Sequence, residues 1–214
     1  MKKMFLSAAM LAGSLFFAQT YSFGVKTGLN LSSISDDGKA DNKMKTGFNG
    51  GIFANVALTD KFSIQPEVLY NTMGAKSTLN LDADKEPSYY KTKLGYLYIP
   101  IMFQYNIAPH LYIEAGPEFS FLMNASSEYT SGTKYNNFNL GTNDFKTFNF
   151  GMGVGVGYWI IPRLAVNARY STSFTNAADD TTTRGAYFGN GKNSVFQIGL
   201  TVKIFKLTPT KQAK

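Results

Sequence analysis

The sequence predicts an all-β protein: an eight-stranded antiparallel up-and-down transmembrane β-barrel with short periplasmic turns and four longer extracellular loops. Three observations predict it. Apolar residues alternate with polar residues or glycine at a period of two, the signature of strands with two unlike faces. The connections between these stretches are short and long in turn, as in an outer-membrane barrel. The apolar face carries aromatic residues near both ends, where such a barrel meets the two membrane–water interfaces.

The N-terminus stands apart from this pattern. Lys2 and Lys3 precede an apolar run from Phe5 to Phe17, which Ala18, Gln19 and Thr20 break. A short positive region followed by such a run reads as a cleaved export signal over residues 1–18. The run is too short to span a bilayer comfortably as a helix. Phe16 is bulky for a position three before a cut, so the cleavage point stays open. The barrel is expected over residues 19–205, with a short basic periplasmic tail at 206–214.

The first alternating stretch sets Phe23, Val25, Leu29 and Leu31 against Gly24, Lys26, Gly28 and Asn30. The second sets Phe48, Ile52, Ala54, Val56 and Leu58 against Asn49, Gly51, Phe53 and Asn55. In the third, Phe62, Ile64, Val68 and Tyr70 face away from Ser63, Gln65, Glu67 and Asn71. In the fourth, Leu97, Ile99, Ile101, Phe103 and Tyr105 face away from Tyr98, Met102 and Gln104. The fifth opposes Leu111, Ile113, Ala115, Phe119 and Phe121 to Tyr112, Glu114, Glu118 and Ser120. The sixth runs from Phe148 to Tyr158, its apolar residues separated by Asn149, Gly151, Gly153, Gly155 and Gly157. Leu164, Val166, Ala168 and Tyr170 alternate with Asn167, Arg169 and Ser171 in the seventh. Phe196, Ile198, Leu200, Val202 and Ile204 alternate with Gln197, Gly199, Thr201 and Lys203 in the eighth. Each stretch is about ten residues or longer, enough to cross a bilayer when tilted.

Residues 59–61, 106–110 and 160–162 form the short connections, and 35–46, 74–89, 124–144 and 176–192 the long polar ones. A soluble sandwich has no reason to sort its loops this way. Phe23, Phe62, Phe103, Tyr105 and Tyr158 sit at the turn side of the apolar face; Phe48, Tyr70, Phe121, Phe148, Phe174 and Phe196 sit at the loop side. Periodicity alone does not say which face is inside. The export signal and these two aromatic bands turn the apolar face to lipid. Hydrocarbon leaves no partner for a free backbone N–H or C=O, so the sheet must close. Pro66, Pro100 and Pro117 fall inside strands and each removes a ladder donor, so bulges or irregular pairing are expected near them.

Several segments resemble the outer-membrane β-barrel domain family labelled PorT-like, found widely in Bacteroidota. They are Phe23-Gly24-Val25-Lys26-Thr27-Gly28-Leu29-Asn30-Leu31, Phe62-Ser63-Ile64-Gln65-Pro66-Glu67-Val68-Leu69-Tyr70, Tyr98-Ile99-Pro100, Ala115-Gly116-Pro117 and Ala168-Arg169-Tyr170-Ser171. The resemblance covers nearly all of the mature chain and implies a fold and an outer-membrane address rather than an activity. The label also belongs to a protein of type IX secretion, a role that many barrels with this domain do not share. Gln197-x-Gly199-x-x-Val202-x-Ile204 looks like the signal read by the barrel-insertion machinery, and an ordinary amphipathic strand would read the same way. It departs from that signal in carrying its aromatic, Phe205, one place after Ile204.

Composition narrows the functions. The chain has no cysteine, which excludes disulfides, thiolate metal sites, a cysteine nucleophile and a lipid-anchored N-terminus. Losing Lys2 and Lys3 with the signal takes two units from a formal charge of +7. The remainder is scattered, so nucleic acid is not an expected partner. The single histidine, His110, lies in a short turn beside Pro109, with no serine next to it in sequence. No catalytic residue, cofactor or metal site is therefore expected. Gly151, Gly153, Gly155 and Gly157 lack the spacing of a phosphate loop, and period two lays them on one strand face to clear room for neighbouring side chains. Asp36, Asp37 and Asp41, and Asp82, Asp84 and Glu86, lack the calcium-loop pattern and read as solvated loop residues.

Inward-facing charges are the most informative set. By parity they are Lys26, Glu67, Glu114, Glu118, Arg169 and Lys203. Ions in a narrow, low-dielectric lumen must be paired or watered. A structural cluster of ion pairs plugging the lumen is the expectation, with a gated conduction path as its alternative. Outer-membrane lipid and, during biogenesis, the insertion machinery are the expected partners, and the long loops offer a surface for an extracellular one. Three functions follow: a structural or surface-interaction barrel, a narrow small-solute channel, or an assembly or secretion factor.

Overall fold

The computed structural model of the protein describes residues 20–35, 41–79, 88–131, 134–138, 145–176 and 192–208. The expected export signal, most of the tail, and Asp36, Asp37, Asp82, Asp84 and Glu86 lie outside these residues. Among the described residues nine strands are present: β1 (Thr20–Ser35), β2 (Asp41–Ala57), β3 (Phe62–Leu79), β4 (Ser88–Ala108), β5 (Leu111–Ser131), β6 (Lys134–Phe138), β7 (Phe148–Ile161), β8 (Leu164–Asn176) and β9 (Lys192–Leu207). Every pairing between them is antiparallel. Eight strands form the ring β1-β2-β3-β4-β5-β7-β8-β9, which β9 closes by pairing with β1. The short β6 folds back on the outer end of β5, from Ser127↔Phe138 to Ser131↔Lys134.

The two faces fall as the alternation demands. Val25, Leu29, Ile52, Val68, Phe103, Ile113, Val154, Ile198 and Leu200 are exposed, while Lys26, Asn30, Gln65, Glu67, Asn71, Gln104, Asn167 and Gln197 are buried. So large a continuous apolar exterior is stable against lipid and not against water. Aromatic rings contact one another at both ends of this exterior. Phe62 and Tyr105 stand 4.8 Å apart at the turn end. At the opposite end Phe121 lies 5.3 Å from Phe148, and Phe150 lies 5.8 Å from Phe174.

The structure departs from the sequence expectation in three places. The long connections are partly strand: β2 starts at Asp41, β3 runs to Leu79, β4 starts at Ser88 and β5 runs to Ser131. The wall β3-β4-β5 therefore rises well past the outer aromatic band at Tyr70 and Phe121, whereas β7 begins at Phe148. Near the prolines the pairing is interrupted, as expected, beside Pro66 and Pro100 and between the Pro117 stretch and β4, but the register does not slip. β3 and β4 pair from Phe62↔Tyr105 to Pro66↔Ile101 and resume in the same register at Leu69↔Tyr98. The shifts fall elsewhere, as at Gly95/Tyr96 and Trp159/Ile161, because a proline costs one donor and leaves the residue count of the strand intact.

The other two departures are at the C-terminus. Strand β9 continues to Leu207, two residues into the expected tail. A bulge there pairs Phe23 with Phe205 and Gly24 with Lys203, leaving Ile204 as the extra residue. That single insertion turns Phe205 to the lipid face opposite Phe23, where it is 66% exposed. The aromatic that stood one place late in the sequence is thus returned to the inner aromatic band.

Closure of the eight-stranded ring resists detergent at room temperature, because the ring leaves no edge strand for the solvent to peel. The folded protein is expected to migrate faster on an unheated gel than after boiling. Identical mobility before and after boiling, with strongly helical circular dichroism in detergent, would contradict the fold.

Candidate functional site

Inside the barrel, side chains from opposite walls meet in layers. At mid-height Arg169 of β8 reaches across the lumen, 1% exposed. Its Nη1 and Nη2 donate to the two carboxylate oxygens of Glu67 on β3 at 2.9 and 2.8 Å, a bidentate pair. Its Nε donates to Oε1 of Glu114 on β5 at 2.8 Å. Lys26 of β1 donates to Glu67 at 3.0 Å and stands 4.0 Å from Glu114. Glu118 lies 4.0 Å from Arg169 and accepts from the Ser171 hydroxyl at 3.0 Å. Gln65 and Gln104 complete the set, donating to Glu67 at 2.9 Å and to Glu114 at 3.0 Å. Guanidinium, ammonium and carboxylates thus hold one another with dense hydrogen bonding, the condition under which buried charge is tolerated.

The glycine stripe of β7 makes this geometry possible. A Cβ on Gly153 would collide with the Glu118 carboxylate, one on Gly155 would press on Glu114, and one on Gly157 would enter the Tyr112 ring. Bare backbone on β7, between β5 and β8 in the ring, lets the β5 side chains lie flat toward Arg169.

Further layers lie on either side. On the turn side, Asn55 donates to Ser63, Gln65 and Gln104, and Asn167 donates to Thr201 at 2.9 Å. On the loop side, Asn49 donates to Asn30 at 2.6 Å and Asn30 in turn to Asn71. Beyond these amides the lumen turns apolar: Leu69, Met73, Leu94, Tyr96, Leu122, Phe145 and Val195 form one buried cluster. Beside the charge belt lies a cavity of about 30 Å³ touching Tyr98, Glu118, Ser171 and Asn193. That is room for a water molecule.

Five of the six inward charges read from the sequence, Lys26, Glu67, Glu114, Glu118 and Arg169, are brought together. Lys203 is not. It lies at the periplasmic mouth, half-buried, with its ammonium 3.6 Å above the centre of the Trp159 ring. Parity gives its face correctly but not its depth, since Lys26 pairs with Thr201 and Lys203 falls two residues nearer the turns. Lys45, a buried cation that donates to the Met73 carbonyl at 2.8 Å, was not foreseen, nor was the apolar layer. Lys45 carried a signal, since it shares the parity of Asn49 and Gly51. His110 lies exposed in its turn, its ring centre 6.0 Å from Tyr158 and away from the lumen. Among the described residues no group of His, Asp and Glu is arranged to hold a metal ion.

A closed ring of eight antiparallel strands with an apolar exterior, two aromatic bands and a polar, filled lumen defines a small integral barrel of the outer membrane. The chain belongs to the outer membrane protein beta-barrel domain family, whose model matches residues 17–179. No curated protein matches it. Among solved structures it is similar to Neisserial surface protein A, with a TM-score of 0.51 and 14% identity over 86% of this chain and 99% of that one. It is also similar to Ail, the attachment invasion locus protein of Yersinia pestis, with a TM-score of 0.45 and 12% identity over 87% and 99% of the two chains. The first of these is a likeness of fold.

Proposed function

We propose that the protein is a structural or surface-interaction barrel whose lumen is plugged by side chains. One observation carries this reading. The Arg169–Glu67–Glu114 belt spans the lumen from β8 to β3 and β5, and the apolar cluster from Leu69 to Val195 is stacked on its outer side. An ion passing through would have to break a buried bidentate pair and then cross an apolar layer, and both steps are costly. The surface role is supported by the raised wall β3-β4-β5-β6. Beyond Tyr70, β3 alone adds roughly 30 Å of strand at about 3.3 Å per residue. Within the family we read the chain as a PorT-like member, on the segments 23–31 and 62–70.

A narrow channel is the second reading, favoured by the cavity beside Glu118. Purified protein in a planar bilayer decides between them. The plugged barrel is expected to give no stable conductance steps, and reproducible steps from the wild-type protein would establish the channel instead. No specific observation favours the assembly or secretion role.

A further inference from the structure

We infer that the cavity beside Glu118 is a binding site for one small monovalent cation, sodium, held by the Glu118 carboxylate among neutral oxygens. The charge count of the belt carries this. Lys26 and Arg169 face Glu67, Glu114 and Glu118, so the belt holds one carboxylate more than it holds cations. All five side chains are buried. A buried charge without compensation is costly, so a further positive group completes the belt. The excess falls on Glu118. The guanidinium directs its three short hydrogen bonds to Glu67 and Glu114 and stands 4.0 Å from Glu118. Lys26 contacts Glu67 and Glu114. The other buried cation, Lys45, pairs with Ser32, six residues outward of Lys26 on β1, and does not line the cavity.

The hydrogen bonds around Glu118 are those of a carboxylate. The Tyr98 hydroxyl donates to Ser171 Oγ at 3.2 Å, and Ser171 donates to Glu118 at 3.0 Å. The relay ends on Glu118 as acceptor, so a carboxyl proton finds no partner in it. The cavity supplies the room, about 30 Å³, enough for one particle the size of a water molecule. Ser120, Ser173 and Asn193 join Glu118 on its wall, and among the described residues no lysine, arginine or histidine does. Hydroxyl, amide and carboxylate oxygens are the ligands that hard cations take. One net negative charge matches a monovalent ion, whereas a divalent ion would leave the belt positive. The site does not depend on whether the barrel conducts, which the planar-bilayer measurement decides separately.

The test refolds the full mature protein in detergent micelles and unfolds it in urea, with sodium chloride or choline chloride at equal ionic strength. Choline is too large for the cavity, so it screens charge without entering the site. Sodium at about ten times its half-saturating concentration is expected to lower the unfolding equilibrium constant roughly tenfold relative to choline, the mass-action effect of a ligand bound only by the folded state. Glu118→Gln keeps the shape of the side chain and removes its charge, and it should abolish the difference between the two salts. Equal stability of the wild-type protein in sodium and choline, or a sodium effect that persists in Glu118→Gln, would overturn the site. A neutral-carboxyl infrared band present in sodium and removed by Glu118→Gln would also overturn it, because a proton would then balance the belt. Heat-modifiable migration checks that the variant is folded. If it is not, Asn193→Ala leaves the belt intact and is expected to raise the half-saturating sodium concentration roughly tenfold, the effect of losing one ligand oxygen. An unchanged concentration in that variant would count against the site in the same way.

Discussion

Arg169→Ala is expected to lower the unfolding free energy by about 3–5 kcal/mol, the cost of leaving buried charge without its partner. The expectation rests on what the guanidinium holds. It makes three short hydrogen bonds to Glu67 and Glu114 and lies 4.0 Å from Glu118. Without it, Lys26 alone faces three carboxylates across the belt. Lys61→Ala, in an exposed turn, is the control, and surface changes of that kind stay within about 0.5 kcal/mol. Urea unfolding in detergent micelles, followed by the loss of the fast-migrating form, gives both values. Arg169→Ala/Glu67→Ala should cost less than the sum of its single variants, because the second change removes a carboxylate that the first had stranded. Additivity, or an Arg169→Ala no worse than Lys61→Ala, would show that the belt does not brace the barrel.

How this belt could be foreseen, and where foresight stopped, follows from what a period of two encodes. Parity names the face of a residue, so Lys26, Glu67, Glu114, Glu118 and Arg169 are legible as inward from the sequence alone. Counting residues from the short turns gives rough depth: Arg169 and Glu67 each stand about six residues beyond their turns, at one level. Depth fails for Lys203 because the bulge at Ile204 and the tilt of neighbouring strands shift the count. The apolar layer was hidden for another reason. Leu69 stands between Val68 and Tyr70, and Leu122 between Phe121 and Met123, so both faces are apolar there and the alternation carries no contrast. The raised wall was hidden by the opposite condition. Past the membrane neither face need be apolar, so the stretches 74–79, 88–93 and 126–131 read as polar loops although their backbones pair in register. Pairing is then set by continuation of a ladder already formed, a long-range cause that no local pattern records. At the prolines the ladder is interrupted as the sequence implies, but Pro66 removes only a donor, and the pairs on both sides fix the register across it.

Arginine placed at Val154 or Leu200 tests the orientation of the whole barrel and is expected to cost about 2–4 kcal/mol in lipid, the penalty for a cation at the bilayer midplane. Both residues lie between the aromatic bands. Val154 sits between Phe148 and Tyr158 on β7, and Leu200 between Phe196 and Phe205 on β9. Both side chains are exposed on the outer face, 52% and 43%, and their neighbours across the ladder, Tyr170 and Val166, are exposed beside them. An arginine there finds only lipid and apolar side chains, and from mid-depth its guanidinium reaches the interface poorly by snorkelling. The penalty should shrink toward zero when the same substitution is made at Phe205, at the inner aromatic band, because cost falls with distance from the midplane. Reversible unfolding of the refolded variants in vesicles, compared position by position, measures this gradient. A flat profile, with Val154→Arg and Leu200→Arg as stable as Phe205→Arg, would mean that water and not lipid covers this face.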